Sequence, residues 1–244
     1  MVGYGFFFFM ARLDAWGSAP FSNRPKGSMK SGRYETSKLM EAQFEPGSRE
    51  RVLKNLLRIK SKREMDRIEG QEQIRALAEL IRLFDRNHRF TADDLRKIHK
   101  IWLGKIYAWA GEYRRVNLSK GDFPFAAARH ISQLMEEFKN NSLRQFTPCH
   151  FDSLNEAVKA IAIVHTELVL IHPFREGNGR VARLLSILMA LQAELPPLDF
   201  GGLKGQKRNE YFSAVKAGLD KDYEPMEKVF NAVIRRTLRI SGRS

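Results

Sequence analysis

The segment IHPFREGNGRVAR, residues 171–183, contains residue types suited to phosphate chemistry and lies between two apolar stretches. His172 can accept or donate a proton near neutral pH. Gly177 and Gly179 allow the backbone to adopt positive φ angles and to approach a ligand closely. Free N–H groups at the start of the helix that follows attract anions. This pattern predicts a proton-exchanging group beside an anion-binding loop.

The charged side chains of the same segment narrow the expected ligand. Arg180 and Arg183 are three residues apart, so they lie on one face of the first helical turn. Each guanidinium presents a planar fork that suits phosphate oxygens. Glu176 is the only acid in the segment, and a carboxylate beside phosphates needs an intervening cation such as Mg²⁺. We therefore predict a nucleotide triphosphate bound with Mg²⁺; the simpler alternative is an ordinary Gly-Asn-Gly turn with unrelated arginines.

Two strongly patterned helices must hold this segment in place. Residues 153–171 carry an apolar stripe at helical spacing, and a second stripe follows the loop. Pro173 disfavours helical geometry at the preceding residue, so the first helix should end at His172. His165 lies on the first apolar stripe, and we interpret it as a core histidine rather than a catalyst.

Helical patterns in the rest of the chain predict an all-α fold with one small β-hairpin. Residues 116–125 contain Gly121 and Pro124 and are typical of an irregular hairpin. Residues 1–48 are expected to form a loop-rich or weakly ordered extension, and residues 49–240 the main domain with its N-terminal helices. The other helices are predicted from Arg49, at Gln71–Phe84, from a capping box of Thr91 and Asp94 to about Tyr107, at Ile131–Asn140, and within Gln206–Ile240.

The stretch HPFREGNGRVAR resembles the Fic family signature His-x-Phe-x-(Asp/Glu)-Gly-Asn-Gly-(Lys/Arg)-x-x-Arg at every position. YAWAGEYRRVNLSKGDFPFA is similar to the segment leading into the family's target-binding flap, and YFSAVKAGLDKDYEPMEKVF to its C-terminal helical stretch. The resemblance covers about residues 50–235. It implies a protein adenylyltransferase that moves AMP from ATP to a Ser, Thr or Tyr hydroxyl of a target protein. The related Doc kinases carry Lys where this chain has Gly179, which favours AMP transfer over phosphorylation.

The resemblance also implies a role for each residue of the motif. His172 would be the general base that deprotonates the target hydroxyl, and Phe174 would anchor the loop in the core. Glu176 would hold Mg²⁺ or Mn²⁺ against the α- and β-phosphates. The remaining motif residues would bind the nucleotide phosphates: Gly177, Asn178, Gly179, Arg180 and Arg183.

Three further sites are predicted outside the motif. Asn209 and Tyr211 are expected to line the base pocket. The flap would pair with the target backbone as an added strand, unless it is an ordinary surface loop. Its predicted docking residues are Val116, Leu118, Lys120, Phe123 and Phe125.

The stretch MDRIEG resembles the inhibitory helix pattern (Ser/Thr)-x-x-x-Glu-(Gly/Asn) of many Fic proteins. In that pattern the Glu pairs with the last Arg of the motif and blocks the γ-phosphate. Glu69 would thus pair with Arg183, although Met65 stands where the hydroxyl is usual. The alternative is that Glu69 is only a surface acid at a helix end.

The overall composition limits the class of protein and the kinds of ligand. The 244 residues are 43% hydrophobic, which allows a sizeable core, and the formal charge of +14 suits phosphate-bearing ligands or nucleic acid. The single cysteine, Cys149, is interpreted as structural and suits a reducing cytoplasm. The N-terminal apolar run is too short to span a bilayer and lacks signal-peptide features, and Met10 is a candidate start.

These observations leave a second class of function open. The chain could be a catalytically silent basic binding protein or one half of a toxin–antitoxin pair, and a Fic enzyme could also use another nucleotide donor. The expected partner is then a second copy of the chain or an antitoxin. We do not expect the protein to bind a membrane.

Overall fold

The computed structural model describes residues 39–242. Its α-helices are α1 (Lys62–Leu83), α2 (Ala92–Leu103), α3 (Ile131–Phe138), α4 (Leu154–Ile171), α5 (Asn178–Gln192), α6 (Gln206–Ala217) and α7 (Glu224–Ser241). A π-helical segment, Lys139–Leu143, and one α-helical turn, Arg144–Phe146, prolong α3. The strands β1 (Ser119–Lys120) and β2 (Phe123–Pro124) pair antiparallel, with Ser119 opposite Pro124. The predicted all-α class with one small hairpin is confirmed.

Helix α4 forms the centre of the bundle. It packs against α5, α7, α3 and α6, and buried residues face every side of it. A helix that is apolar all round must be covered on all sides. A capping box between Ser153 and Glu156 begins α4, and the left-handed conformation of His172 ends it. The loop between α4 and α5 is therefore held at both ends by core helices.

The N-terminal half departs from the predicted helices. Residues 49–61 form turns rather than a helix, because the Asn55 side chain bonds both the N–H and the C=O of Ile59. Positive φ angles at Arg49, Glu50 and Arg58 also interrupt helical geometry. The helix predicted from Gln71 instead begins at Lys62 and contains Gly70 in its interior. The capping box of Thr91 and Asp94 begins α2 as predicted, but α2 ends at Leu103 rather than Tyr107.

Candidate active site

His172 lies at the C-cap of α4 and is almost completely buried, with 3% of its surface exposed. Its φ of 55° is unusual for a residue other than glycine, and such residues cluster at functional sites. The ring Nδ1 lies 3.1 Å from the carbonyl oxygen of Val169, so Nδ1 carries the proton and Nε2 the lone pair. Burial lowers the pKa of His172 to about 3. The residue is therefore a neutral imidazole whose Nε2 can accept a proton.

A buried arginine that the sequence analysis missed fixes the position of His172. Arg114 is 1% exposed and donates from Nε to the carbonyl oxygen of His172 at 2.7 Å. Its other nitrogens donate to the carbonyl oxygens of Val116 and Ala126, both at 2.6 Å. One guanidinium thus joins the end of α4 to both ends of the hairpin segment. Local spacing carries no sign of this, because two of the acceptors, the carbonyls of Ala126 and His172, lie 12 and 58 residues away in sequence.

The loop after His172 is held by its own side chains and by α2. The Asn178 amide accepts a hydrogen bond from the Phe174 N–H at 2.8 Å and donates one to the Phe174 carbonyl at 2.7 Å. The Phe174 ring is buried and stacks on His99, with centroids 4.0 Å apart. His99 in turn lies 3.1 Å from the carbonyl oxygen of Glu176. The Asn178 side chain is therefore engaged in shaping the loop, which leaves the backbone N–H groups of Asn178 and Gly179 to face an anion.

Gly177 is required by both its conformation and its surroundings. Its φ is +81°, and a Cβ atom there would lie 2.6 Å from the Trp102 ring. The Gly177 N–H donates to Oε1 of Glu176 at 2.9 Å. The close approach of Trp102 places the start of α5 directly against α2.

Arg180 lies in a cradle of acidic and aromatic groups. Its guanidinium donates to Glu69 at 2.7 Å and to Glu176 at 3.3 Å, and it lies 4.5 Å from the centre of the Trp102 ring. Burial opposes the charge on Arg180, but Glu69 and Glu176 outweigh it and raise the pKa of Arg180. Glu69 is 2% exposed and also accepts a hydrogen bond from the Tyr107 hydroxyl at 2.8 Å. The surface-acid interpretation of Glu69 is therefore wrong, and so is its predicted partner: Glu69 pairs with Arg180 and not with Arg183.

The positions of the two arginines on α5 explain why Glu69 pairs with Arg180 and not with Arg183. Arg180 and Arg183 are neighbours on α5, but only Arg180 projects over Trp102 toward α1. Arg183 forms no ion pair with Glu69, and Tyr211 of α6 is one of the groups that influence its pKa. Its Nε atom is enclosed and has no hydrogen-bond partner among residues 39–242. Burial, together with Arg180 and Arg208, lowers the pKa of Arg183.

Residues 89–190 match the sequence model of the Fic/DOC family, and they include the whole loop described above. Residues 89–190 are therefore assigned to a Fic domain. The protein adenylyltransferase Fic of Aedes aegypti is 31% identical over 159 residues, which cover 64% of this chain and 30% of that protein. Protein adenylyltransferase VbhT of Bartonella schoenbuchensis is 29% identical over 187 residues, which cover 77% of this chain and 37% of that protein. The chain thus matches about a third of the length of these relatives.

The fold is shared with solved Fic structures. The N-terminal Fic domain of a putative cell filamentation protein from Bartonella quintana, solved with bound ADP, has a TM-score of 0.62 and 27% identity. The match covers 78% of this chain and 92% of that one. A Bartonella effector domain with 19% identity has a TM-score of 0.64, which shows likeness of fold alone.

The two residues that the sequence predicts to line a base pocket occupy different environments. Tyr211 is 5% exposed, and its hydroxyl lies 2.9 Å from Nε2 of His165. The Ser186 hydroxyl donates to the Ala182 carbonyl and therefore accepts from Nδ1 of His165, so Tyr211 donates to Nε2. His165 is the buried core histidine that the sequence predicts. Asn209, by contrast, is exposed on α6.

The hairpin folds over the loop that follows α4. The Phe125 ring stacks on the His172 ring with centroids 3.5 Å apart, and Leu118 is buried. Lys120 lies 3.0 Å from the centre of the Phe212 ring, and burial beside Arg208 and Arg183 lowers the pKa of Lys120 to about 7. Phe123 packs edge-on against Phe125 at 5.5 Å, and Val116 contributes its carbonyl to Arg114. The Phe125 ring therefore covers one face of the His172 ring.

Residues that the sequence assigns to the extension also contact the Fic motif. Arg175 is 4% exposed and donates from Nε to the carbonyl oxygen of Glu41 at 2.9 Å. The Glu41 carboxylate accepts the Arg115 N–H at 2.7 Å. The described part of the extension, from residue 39, therefore packs against the motif. Met10 lies outside the described residues.

The carboxylate in the loop can hold a metal ion only together with further oxygen ligands from a nucleotide. Residues 39–242 contain no group of three or more His, Cys, Asp or Glu side chains able to hold a metal. Glu176, with a side chain 20% exposed, offers one carboxylate in the loop. Mg²⁺ commonly binds through one or two carboxylates together with substrate phosphates, so Glu176 fits that ion.

Proposed function

We propose that this chain transfers AMP from ATP to a hydroxyl group of a target protein. The observation that carries the proposal is a neutral, buried His172, with Nε2 able to accept a proton, next to an anion-binding helix N-terminus and two arginines. The names of the Aedes and Bartonella relatives support adenylyl transfer, and the ADP in the Bartonella quintana structure supports a nucleotide in this fold. We propose that the modified hydroxyl belongs to a Ser, Thr or Tyr side chain of the target.

The proposed reaction forms one bond to the α-phosphorus and breaks another. The target hydroxyl oxygen forms a bond to the α-phosphorus of ATP, and its proton passes to Nε2 of His172. The bond between the α-phosphorus and the oxygen bridging to the β-phosphate breaks, and pyrophosphate leaves. Backbone N–H groups of Asn178 and Gly179, with Arg180 and Arg183, stabilise the phosphate charge that develops. Positioning and electrostatics supply most of the catalysis in this type of chemistry.

Glu176 would hold Mg²⁺ or Mn²⁺ when the nucleotide binds. The ion would neutralise phosphate charge and orient the α- and β-phosphates. The N–H of Gly177 and the Arg180 guanidinium orient the carboxylate by bonding to Oε1 of Glu176. The hairpin would bind the target backbone along the open edge of β1 or β2. We also propose that the reaction takes place in the cytoplasm.

The test is transfer of label from ATP to protein. Incubation of the chain with ATP labelled on the α-phosphate and a cell lysate should label discrete proteins, which mass spectrometry then identifies. Label on the γ-phosphate should not transfer. Transfer of γ-label instead of α-label would replace adenylylation with phosphorylation.

A divalent ion should be required for this transfer. We expect excess chelator to reduce labelling to background and Mg²⁺ or Mn²⁺ to restore it, because Glu176 alone would repel the phosphates. Glu176→Gln should lose this response to metal, whereas Glu112→Gln, a change at an exposed carboxylate, should keep it. Undiminished labelling in chelator would remove the metal from the mechanism.

We also propose that Glu69 restrains activity, through Arg180. While Glu69 holds the guanidinium at 2.7 Å, Arg180 has fewer donors for a phosphate. Glu69→Gln keeps a partner for Tyr107 but removes the charge, so Arg180 is released and the initial rate of transfer should rise several-fold. Breaking a buried ion pair costs about 3–5 kcal/mol, so the rate is measured well below the melting temperature.

The matched control is Glu79→Gln, which alters an exposed ion pair with Arg75 on the same helix. That variant should transfer AMP at the parent rate. A lower rate in Glu69→Gln, with the control unchanged, would assign Glu69 to holding Arg180 in its productive position.

A further inference from the structure

A groove with a volume of about 720 Å³ lies between α7, the start of α6 and the first turn of α4. Among residues 39–242, the side chains that line it include one carboxylate, that of Asp199, and five cations. We call it the basic groove. Its cations are Lys207, Lys228, Arg235, Arg236 and Arg239.

Three of these cations have no counter-charge within residues 39–242. Arg236 pairs with Asp199 at 2.9 Å, and Lys228 pairs with Glu224 at 2.8 Å. The remaining cations form no ion pair with any described residue, and they are exposed: Lys207, Arg235 and Arg239. Their charge is therefore available to a ligand.

The cations are concentrated on one surface by two separate helices. Lys228, Arg235 and Arg239 are spaced so that they form one stripe along α7. Lys207 is the second residue of α6, at the positive end of that helix's dipole, where a cation is disfavoured. An anionic ligand would offset the cost of both arrangements.

The side chains that line the basic groove favour an acidic peptide over a nucleic acid. Proteins that bind single-stranded nucleic acid commonly stack its bases on aromatic side chains. None of the described residues that line the groove is aromatic. The groove instead offers the amides of Asn155 and Asn231, which can both donate to and accept from a peptide backbone, and apolar contact with Leu203.

Electrostatics disfavour two occupants that the chain itself could supply. Residues 1–38 contain six Lys and Arg against two Asp and Glu, so the groove would repel that segment. A second copy brings a formal charge of +14, which also opposes contact through a basic surface. The occupant with complementary charge is an acidic segment of another protein.

We propose that the basic groove binds an acidic segment of the protein that the chain modifies. This inference rests on the proposed function, because it identifies the partner as the substrate. Asn155 lies in the first turn of α4 and His172 at its end, so this 18-residue helix separates the groove from His172 by about 25 Å. An extended segment of about eight residues spans that distance. Binding in the groove would raise the effective concentration of the target hydroxyl near His172.

The first experiment measures, by fluorescence anisotropy and without ATP, the dissociation constant of a labelled peptide of about eight glutamates, the length that spans this distance. The double variant Arg235→Gln with Arg239→Gln should bind the peptide about five- to tenfold more weakly, the order expected for the loss of two exposed ion pairs. Arg235→Lys with Arg239→Lys keeps the charge and should keep most of the binding. Thermal denaturation checks that each variant folds.

The matched control is Arg63→Gln with Arg67→Gln. It removes the same charge, at the same spacing, from exposed positions of α1, a helix that supplies no described residue to the groove. This control should bind the peptide as the parent does. An equal loss in both double variants would show that only the overall charge matters and would overturn the inference. A larger loss for an oligothymidylate of the same length than for the peptide would also overturn it, because the groove would then be a nucleic-acid site.

The second experiment separates this inference from the proposed function. Transfer of α-phosphate label from ATP to lysate proteins is compared for the parent and the groove variant at limiting lysate, where weaker docking should slow labelling about five- to tenfold. Labelling at the parent rate by the groove variant would overturn target docking and leave the proposed function intact. If the parent binds the peptide through the groove but transfers no α-label, the groove stands as an acidic-peptide site and the proposed function fails.

Discussion

His172→Ala should lower the rate of AMP transfer by about 10²–10⁴-fold, the usual effect of removing a general base. Nδ1 of His172 is engaged with the Val169 carbonyl, so Nε2 is the proposed proton acceptor that the substitution removes. The fold should persist, because Arg114 contacts the backbone carbonyl of residue 172 and not its side chain. The measurement is the initial rate of label transfer at saturating ATP, with thermal denaturation to check the fold.

The control for this substitution is His150→Ala, which removes an exposed histidine and should leave the rate unchanged. Transfer at the parent rate by His172→Ala would show that another group takes the proton.

The pH dependence of the parent tests the same assignment. Burial lowers the pKa of His172 to about 3, so the ring stays in its neutral, proton-accepting form as the pH falls from 8 to 5.5. A histidine with the ordinary pKa of about 6.5 would be roughly nine-tenths protonated, and inactive as a base, at pH 5.5. We therefore expect kcat/KM for the target at saturating ATP to stay nearly constant over this range.

Arg114→Met should destabilise the fold and slow transfer together. The substitution keeps an unbranched side chain in the space but removes the donors to the carbonyls of His172, Val116 and Ala126. A fully buried carbonyl left unpaired costs about 1–3 kcal/mol. The bonds to Val116 and Ala126 are only partly buried and should cost less, so we expect a loss of about 3–5 kcal/mol in the free energy of unfolding. The melting temperature should fall by about 10 °C, since each kcal/mol shifts a domain of this size by about 2–4 °C.

The rate of transfer by Arg114→Met should fall at least tenfold even where the protein is folded. His172 would no longer be tied to the hairpin, and a misplacement of about 1 Å costs on the order of a hundredfold in rate. Arg115→Met, a change at the exposed neighbouring arginine, should affect neither property. A melting temperature of Arg114→Met within 2 °C of the parent would contradict the assigned role.

Some elements were predictable because their causes are local. The apolar stripes of α4 and α5, the stop at Pro173 and the capping box at Thr91 depend on residues within a few positions, and each stands where the pattern predicted. The helix predicted in residues 49–59 is absent for the opposite reason: the contacts that decide the structure there are not local. There distant groups engage the backbone: the Leu56 N–H donates to the Ile106 carbonyl at 2.8 Å, and Leu53 forms an isolated β-bridge with Phe44.

Short-range spacing and residue chemistry were sufficient to predict the fold class, the Fic motif and the residues that can exchange a proton or bind phosphates. The contacts between distant residues were not predictable in this way. Arg114 donates to carbonyls up to 58 residues away, and Glu69 pairs with Arg180, which is 111 residues away. Such contacts depend on the relative rotation and packing of whole helices, and the spacing of residues within one helix does not specify that rotation.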